Sequence, residues 1–530
     1  MPKVPPMPEL PPSEERTPVV SALLEVIAGL RELLQHLRET VQALRDEIAE
    51  LKHQKKKPAI RPSKLTEGEG KKRGRRSKKG HGQPRRPDRT VVVKPDKVPE
   101  GSRFKGYSEY TVQELVIKAE ATLYRVEKWL TPEGRLVMGE LPVPLPDEGP
   151  GGHFGPTLRS FVLYQYYHAQ VTEPLILEEL REWEVEISSG ELHKLITEGK
   201  EQFHREKDEI LPVGLRVSGH IHADDTGARH QGKNGYATHI GNEWFAWFAT
   251  TESKSRINFL ELLRAGSTDY VLRGEALEYM AAQKLPQVLL AKLAAAEDQV
   301  FADRNCWQAA LAGWGLRDAR HIRIATEGAL LGSVLEHGVN PQLAIVSDDA
   351  GQFNVLLHGL CWIHAERVLA KLVGFNDAQR KDLDTVRATV WQLYRDLKAY
   401  KVKPSAEAKQ ALEARFDALC ATQTCFVSLN LALKRMHRNK RELLLVLDRP
   451  DLPLHNNLSE GDIREYVKRR KISGGTRSED GRRGRDTFAS LKKTCRKLRV
   501  SFWSYLNDRI RGTIVIPPLP ALIEARAQSA

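Results

Sequence analysis

Three acidic positions in this chain of 530 residues are set among residues that could make them chemistry. Asp224 lies in RVSGHIHADD, Asp348 closes the apolar run QLAIVSDD, and Glu460 falls in LHNNLSEGDIREYVKRRKISGG. Carboxylate oxygens are the ligands that hard divalent cations prefer. Two such ions roughly 3.5–4 Å apart can activate a water for in-line attack on a phosphodiester and stabilise the leaving oxygen. Three carboxylates can bind two dications without neutralising them, so the ions still polarise phosphate. Each acid alone says little, because Asp-Asp pairs occur at turns by chance. The set of three is the signal.

Each acid needs an element to hold it. Residues 216–225 alternate, with Val217, Ile221 and Ala223 on one face and Ser218, His220, His222 and Asp224 on the other, as in a half-buried strand. That phase selects Asp224 rather than Asp225. GYATHIGNEWFAWFATTES then predicts two more strands around a Gly241-Asn242 turn. A three-strand meander that begins with an acid is the opening of a ribonuclease H-like fold. Leu343 to Val346 is apolar without alternation, as for a parallel strand covered on both faces. Ligands of open α/β sheets bind beyond the carboxyl ends of such strands, where Asp348 and Asp349 fall. Asn456 or Asn457 could cap a helix with Glu460 in its first turns. Glu460, Arg464 and Lys468 then share one helical face, which is equally what a surface salt-bridge ladder looks like. From about 212 to 500, β-rich and longer helical stretches alternate, the pattern of an α/β core.

The charge is uneven. Residues 52–90 hold sixteen Lys and Arg against Glu67, Glu69 and Asp88, which accounts for the whole net charge of +13. Residues 53–95, including Lys71, Lys72, Arg73, Arg75 and Arg76, are too poor in large apolar side chains to fold alone. They read as a disordered basic arm gripping DNA phosphates without regard to sequence, or else as a solubilising linker. Ahead of the arm, residues 1–20 are a disordered, proline-rich, acidic lead without a secretion-signal layout. In residues 21–52, Leu23, Ile27, Leu30, Leu34, Leu37, Val41, Leu44, Ile48 and Leu51 recur at four-three spacing. That seam predicts a coiled coil and a homo-oligomer, against an amphipathic helix packed on its own domain. Residues 96–145 suggest a small β or mixed module. Residues 146–211 read as a helical region, with a helix-turn-helix rhythm from ISSGE onward that could bind DNA or simply pack. Five scattered cysteines without a CxxC pair argue against a disulfide framework and for a reducing cytosol, and no apolar run is long enough to span a membrane.

HADDTGAR, VSDDAGQF, CWIHAERV, NNLSEGDIR, RRKISGGTRSEDGRRG and SFWSYL, in that order, resemble the DDE transposases of the insertion-sequence sixty-six (TnpC) family over about residues 212–510. The resemblance implies a ribonuclease H-like catalytic core (212–500) with helical insertions, preceded by the coiled coil and a small helical DNA-binding region, and followed by a tail (501–530). It implies that Asp224, Asp348 and Glu460 are catalytic and bind magnesium or manganese, two ions in all. Family members usually carry a cysteine-paired zinc module before the core. No cysteine precedes Cys306 here, so residues 96–145 stand as a replacement for it. The interval from Asp224 to Asp348 is long for the family, and 265–340 looks like an extra insertion. Cys361 and His364 lack two further zinc ligands unless Cys420 and Cys425 supply them; packing or hydrogen bonding is the simpler role. Arg464, Lys468, Arg469, Arg470 and Lys471 follow Glu460 closely and read as DNA-backbone contacts, or as a solvated face. The expected activity is metal-dependent cleavage at element ends and strand transfer into target DNA, by an enzyme in the cytoplasm near the nucleoid, with helper proteins from the element as further partners. A non-catalytic DNA-binding protein derived from a transposase is the alternative.

Overall fold

The computed structural model describes residue 27 and residues 88–140, 154–296 and 299–529. It divides into two units, Met1–Thr111 and Val112–Ala530. In the first, Ile27 is helical and exposed, and residues 88–111 are exposed without helix or strand. The rest of the predicted seam and Lys71, Lys72, Arg73, Arg75 and Arg76 lie outside the described residues.

The second unit opens on an exposed hairpin, β1 (Lys128–Leu130) with β2 (Leu136–Met138). Around it Leu115, Val116, Leu123 and Trp129 are solvent-exposed. Over its described residues, then, the segment expected to be a small module gathers no core of its own. Helices α1 (Pro156–Leu163), α2 (Glu173–Glu182) and α3 (Ser189–Thr197) follow. They share a small core of Val162, Ile176, Leu180, Leu192 and Ile196. The ISSGE start signal works as a capping box: Ser188 and Glu191 each accept the other's backbone N–H.

Helix α4 (Glu201–Val217) runs through the residues expected to start the first strand. Ser218 is its C-cap, and the strand begins at His220. The alternation read across 216–219 was the end of a helix whose apolar face happens to continue into the strand.

The central sheet contains β3 (His220–His230), β4 (Lys233–Gly241), β5 (Ala246–Thr251), β8 (Ala344–Ser347) and β9 (Leu357–Leu360) in the order β5-β4-β3-β8-β9. The first three form the expected antiparallel meander. Its second turn is held by Asn242, whose Oδ1 accepts from the N–H groups of Trp244 and Phe245. A side chain at Gly241 would strike the Phe245 carbonyl. β8 pairs in parallel with β3, and β9 with β8. This mixed α/β sheet is compatible with a ribonuclease H-like core.

Residues 265–340, expected as an insertion, contribute to the main core. A two-residue pairing of β6 (Tyr270–Val271) with β7 (Val300–Phe301) and helix α5 (Ala319–Glu336) lie here. Met280, Trp307, Ala325 and Leu330 sit in the main core. Gly328 and Gly332 let α5 approach Met280 and the Val271 carbonyl more closely than any side chain would allow. After β9 come α6 (Trp362–Ala370), a helical excursion of α7 (Asp377–Val402), α8 (Ala406–Ala421) and α9 (Val427–Arg438), and then α10 (Asn457–Ser473) and α11 (Glu479–Lys497). The expected C-terminal tail is instead two packed helices, α12 (Phe502–Arg511) and α13 (Leu519–Gln528). Phe502, Tyr505, Leu506, Leu519 and Ile523 complete the main core. Arg509 pairs with the buried Glu206 of α4 at 2.8 Å. Among the described residues no helix is long and apolar enough to cross a membrane.

Candidate active site

Asp224 lies on β3, the central strand, opposite His239 of β4. Asp348 is the first residue beyond β8, the parallel neighbour of β3. Glu460 stands in the first turn of α10, which packs across β3 and β4. Three segments distant in sequence therefore bring their acids within one electrostatic field. Burial, and then the charges of Asp348, Asp225 and Glu460, push the Asp224 carboxyl up to about 7, against the N–H donation from Asp225.

The neighbouring acids are occupied differently. Asp225 accepts from Thr238 Oγ1 at 2.5 Å and from Gln352 Nε2 at 2.9 Å. Asp349 receives Arg435 Nε at 2.7 Å. Among the described residues the Asp348 carboxylate accepts only a turn contact from the Ala350 N–H, 3.1 Å to Oδ1. Both members of each acidic pair are at least partly accessible, so burial alone does not choose between them. Their bonding differs: Asp225 and Asp349 are tied to side-chain partners, whereas among the described residues Asp224 and Asp348 accept from backbone N–H groups.

Glu460 is held by α6. Arg367 donates through both terminal nitrogens, Nη1 to Oε1 at 3.0 Å and Nη2 to Oε2 at 3.3 Å. His364 Nε2 lies 3.6 Å from the same Oε1. Arg464 and Lys468, expected along the Glu460 face, are exposed; it is Arg367, from another helix, that pairs with Glu460. The donor set of Asp224, Asp348 and Glu460 is right in kind for a divalent cation, being all hard oxygen and mutually repelling. Among the described residues, however, no group of three or more His, Cys, Asp or Glu is placed to hold a metal ion. Glu460 fits such a site only once it turns away from Arg367.

One buried residue ties α10 to β3 and to the start of α6. Asn456, 0% exposed, is the N-cap of α10, yet its side chain makes no cap bond. Its Oδ1 pairs with His222 Nδ1 at 2.9 Å and its Nδ2 donates to the Ala223 carbonyl at 2.9 Å. Its backbone N–H donates to Cys361 Sγ at 3.2 Å. Cys361 is therefore a structural acceptor at the start of α6. Cys420 is buried and Cys425 Sγ bonds Asp382, and among the described residues neither is grouped with Cys361 and His364 as metal ligands.

Below α10 runs a buried ionic layer. His239 Nδ1 meets Ser459 Oγ at 2.6 Å, and its Nε2 lies 3.2 Å from Asp462. Lys497 and Lys493 approach Asp462 at 2.8 and 3.4 Å. Burial alone would raise the Asp462 carboxyl, but His239 and Lys497 hold it well below the usual range.

The expected DNA contacts after Glu460 divide. Arg464, Lys468 and Lys471 are exposed. Arg470 is half-buried and donates to Thr226 Oγ1 and the Gly227 carbonyl. Arg469 is buried, its guanidinium 4.0 Å over the Tyr166 ring and bonded to the Val171 carbonyl. These two differ from the expectation because a long guanidinium on a packed helix face finds aromatic and carbonyl partners there.

Comparison with known proteins decides the lineage. The model described as "Transposase IS66 family" matches residues 344–483, from β8 through Asp348, Cys361, Arg367 and Glu460. A protein of Sinorhizobium fredii (strain NBRC 101917 / NGR234), described as "Uncharacterized protein y4jO", is 45% identical over 321 residues, 60% of this chain and the whole of that protein. The chain belongs to the IS66 transposase family. For this IS66 member the family match leaves out β3 and Asp224, so that acid rests on the sheet geometry and on its own motif. Sequence reading missed Arg367, Asn456 and the His239–Asp462–Lys497 layer. Asn456 left one trace, the Asn-Asn pair, and that trace was read as a cap.

Proposed function

We propose that the chain is a DNA transposase that cuts at element ends and joins the freed 3′-hydroxyl to target DNA. The observation that carries this reading is the shared field of Asp224, Asp348 and Glu460 on a sheet ordered β5-β4-β3-β8-β9, an order that supports a ribonuclease H-like core. Magnesium or manganese, as two ions on these carboxylates, would supply an activated nucleophile and a stabilised leaving oxygen. The chain's own residues do the rest. Asn456 and the His239–Asp462 layer orient α10 against β3. Arg367 balances Glu460 until it turns inward. Arg464, Lys468 and Lys471 are exposed along the helix that carries Glu460, where they can meet backbone phosphates. DNA is the partner, and the protein acts in the cytoplasm, at the nucleoid. Self-association through residues 21–52 and help from other proteins of the element belong to the same reading.

The pairing of Glu460 with Arg367 favours a second reading, a transposase-derived DNA-binding protein that no longer cuts. Asp224→Asn, Asp348→Asn and Glu460→Gln, assayed with element-end DNA and Mg2+, separate the two. The transposase reading expects cleavage and joining in the parent protein and their loss in each variant, with duplex binding kept. No cleavage by the parent protein would favour the binder, and full activity in a variant would remove that residue from the site.

A further inference from the structure

On the opposite side of α10 from Arg367 is a cleft of about 560 Å³ that none of the roles above uses. One wall is the helical layer, with Tyr166 and Tyr167 on the π-helical turn Tyr164–Ala169 and Glu173 and His193 on α2 and α3. The other is α10, α11 and the loop between them, with Arg469, Arg477 and Arg485.

The lining is cationic after its ion pairs are accounted for. Glu173 sits 3.1 Å from His193. Glu465 is paired with Lys492, and with Lys493 at 2.7 Å. Asp462 is covered by Lys493, Lys497 and His239. The three arginines meet no carboxylate among the described residues. Arg485 donates to the Gly474 carbonyl and Ser473 Oγ, and Arg477 has no hydrogen-bond or ion-pair partner among the described residues.

Arg469 is the decisive group. It is 8% exposed, lines the cleft, and its Nη2 has no hydrogen-bond partner. Buried guanidinium donors are almost always satisfied, so an orphan on a side chain that lines a cavity calls for an acceptor there. Its guanidinium carbon lies 4.0 Å from the Tyr166 ring centroid, and an arginine set against a phenol offers a surface on which a nucleic-acid base can stack. The volume suits one nucleotide, and duplex DNA is too wide to enter.

We propose that this cleft receives a single unpaired nucleotide of a DNA strand. Its base lies against the Arg469–Tyr166 platform with an acceptor toward Arg469 Nη2, and its phosphate lies between Arg477 and Arg485. The assignment rests on the reading of the chain as a DNA-processing enzyme and adds a strand-recognition site away from the carboxylates.

The test uses the full chain and fluorescence anisotropy with two probes, an oligothymidylate strand and a blunt duplex of equal length. Arg477→Ala and Tyr166→Ala should each lower affinity for the strand on the order of tenfold, with less than about a twofold change for the duplex. Tyr166→Phe keeps the platform and should bind as the parent does. Arg477 is exposed and unpartnered, so its variant keeps the test valid if Tyr166→Ala fails to fold. Thymidine monophosphate should displace the strand at concentrations where inorganic phosphate does not. Equal losses on strand and duplex, no loss on the strand, or equal competition by phosphate would each overturn the nucleotide site. Cleavage is scored separately. A chain that cuts but shows no strand effect overturns the cleft alone, and one that shows the strand effect but does not cut overturns the transposase reading alone.

Discussion

Arg367 and Glu460 form a two-pronged ion pair, with nitrogen–oxygen distances of 3.0 and 3.3 Å, between the first helix after β9 and the helix that carries the third acid. Both oxygens of Glu460 are thereby engaged by the guanidinium. A planar guanidinium matches a carboxylate well enough to compete with a cation for it.

The first prediction follows from that competition. Arg367→Ala removes a positive charge and frees both Glu460 oxygens, so Mn2+ should bind the DNA-free protein more tightly, by roughly three- to tenfold for one nearby charge in a partly solvated site. Titration followed by electron paramagnetic resonance reads this directly. Unchanged or weaker Mn2+ binding would mean that Arg367 does not compete for Glu460.

Asn456 makes the second case. Replacing it by Ala leaves His222 Nδ1 and the Ala223 carbonyl without their partner in a dry site, at a cost of about 2–4 kcal/mol. Urea denaturation measures that loss. At a temperature where the variant is folded, cleavage should still fall while duplex affinity holds, because α10 is then free to shift against β3. A variant as stable as the parent would refute the junction role.

How far the sequence reached is clearest at these two residues. The meander, the strand before Asp348 and the start of α3 were legible because each is local: alternation, an unbroken apolar run, a Ser-x-x-Glu cap. The partners of Glu460 were not, since Arg367 lies 93 positions away and no periodicity links the two. Asn456 has the composition of a cap and the contacts of a tie between segments, a difference only tertiary packing creates. The boundary at 216–219 failed for a related reason, as a helix and a strand can each continue one apolar face across a short joint. Residues 501–530 were expected as a tail, yet half of them are apolar, and Phe502, Tyr505, Leu506, Leu519 and Ile523 close the main core.

A third prediction concerns pH. His204 of α4 is buried against Thr487 Oγ1 at 2.7 Å, and burial together with the Arg483 charge lowers its pKa from 6.5 to about 4. The unfolded chain therefore takes up this proton at higher pH than the folded one. Stability is full above about 6.5 and is lost as pH falls from there towards 4, by on the order of 1–3 kcal/mol. Denaturation midpoints at a series of pH values should show the decline, and His204→Gln should flatten it. An unchanged pH slope in the variant would remove His204 as its source.

The leucine seam gives the fourth. Asp at Leu37 and Leu44 puts charge where a paired helix would desolvate it. Sedimentation should show a smaller assembly for the double variant. The same assembly size in both proteins would place self-association elsewhere.

The last prediction separates grip from chemistry. Residues 52–90 carry sixteen Lys and Arg with Gly and Pro between them, a composition suited to phosphates and poorly suited to fixing the groove geometry that reading base edges requires. Their contribution to DNA binding is then electrostatic and nearly blind to sequence. Deleting them should weaken binding to element ends and to random DNA by similar factors, and should flatten the dependence of log affinity on log salt by about one unit per lost phosphate contact. Recognition of the ends should survive in the segment between residues 96 and 210, where the capped helix α3 lies. Binding of the deletion variant to both DNAs across a salt series decides the matter. If end binding alone were lost, the arm would be the sequence reader and α3 would be left with packing as its only role.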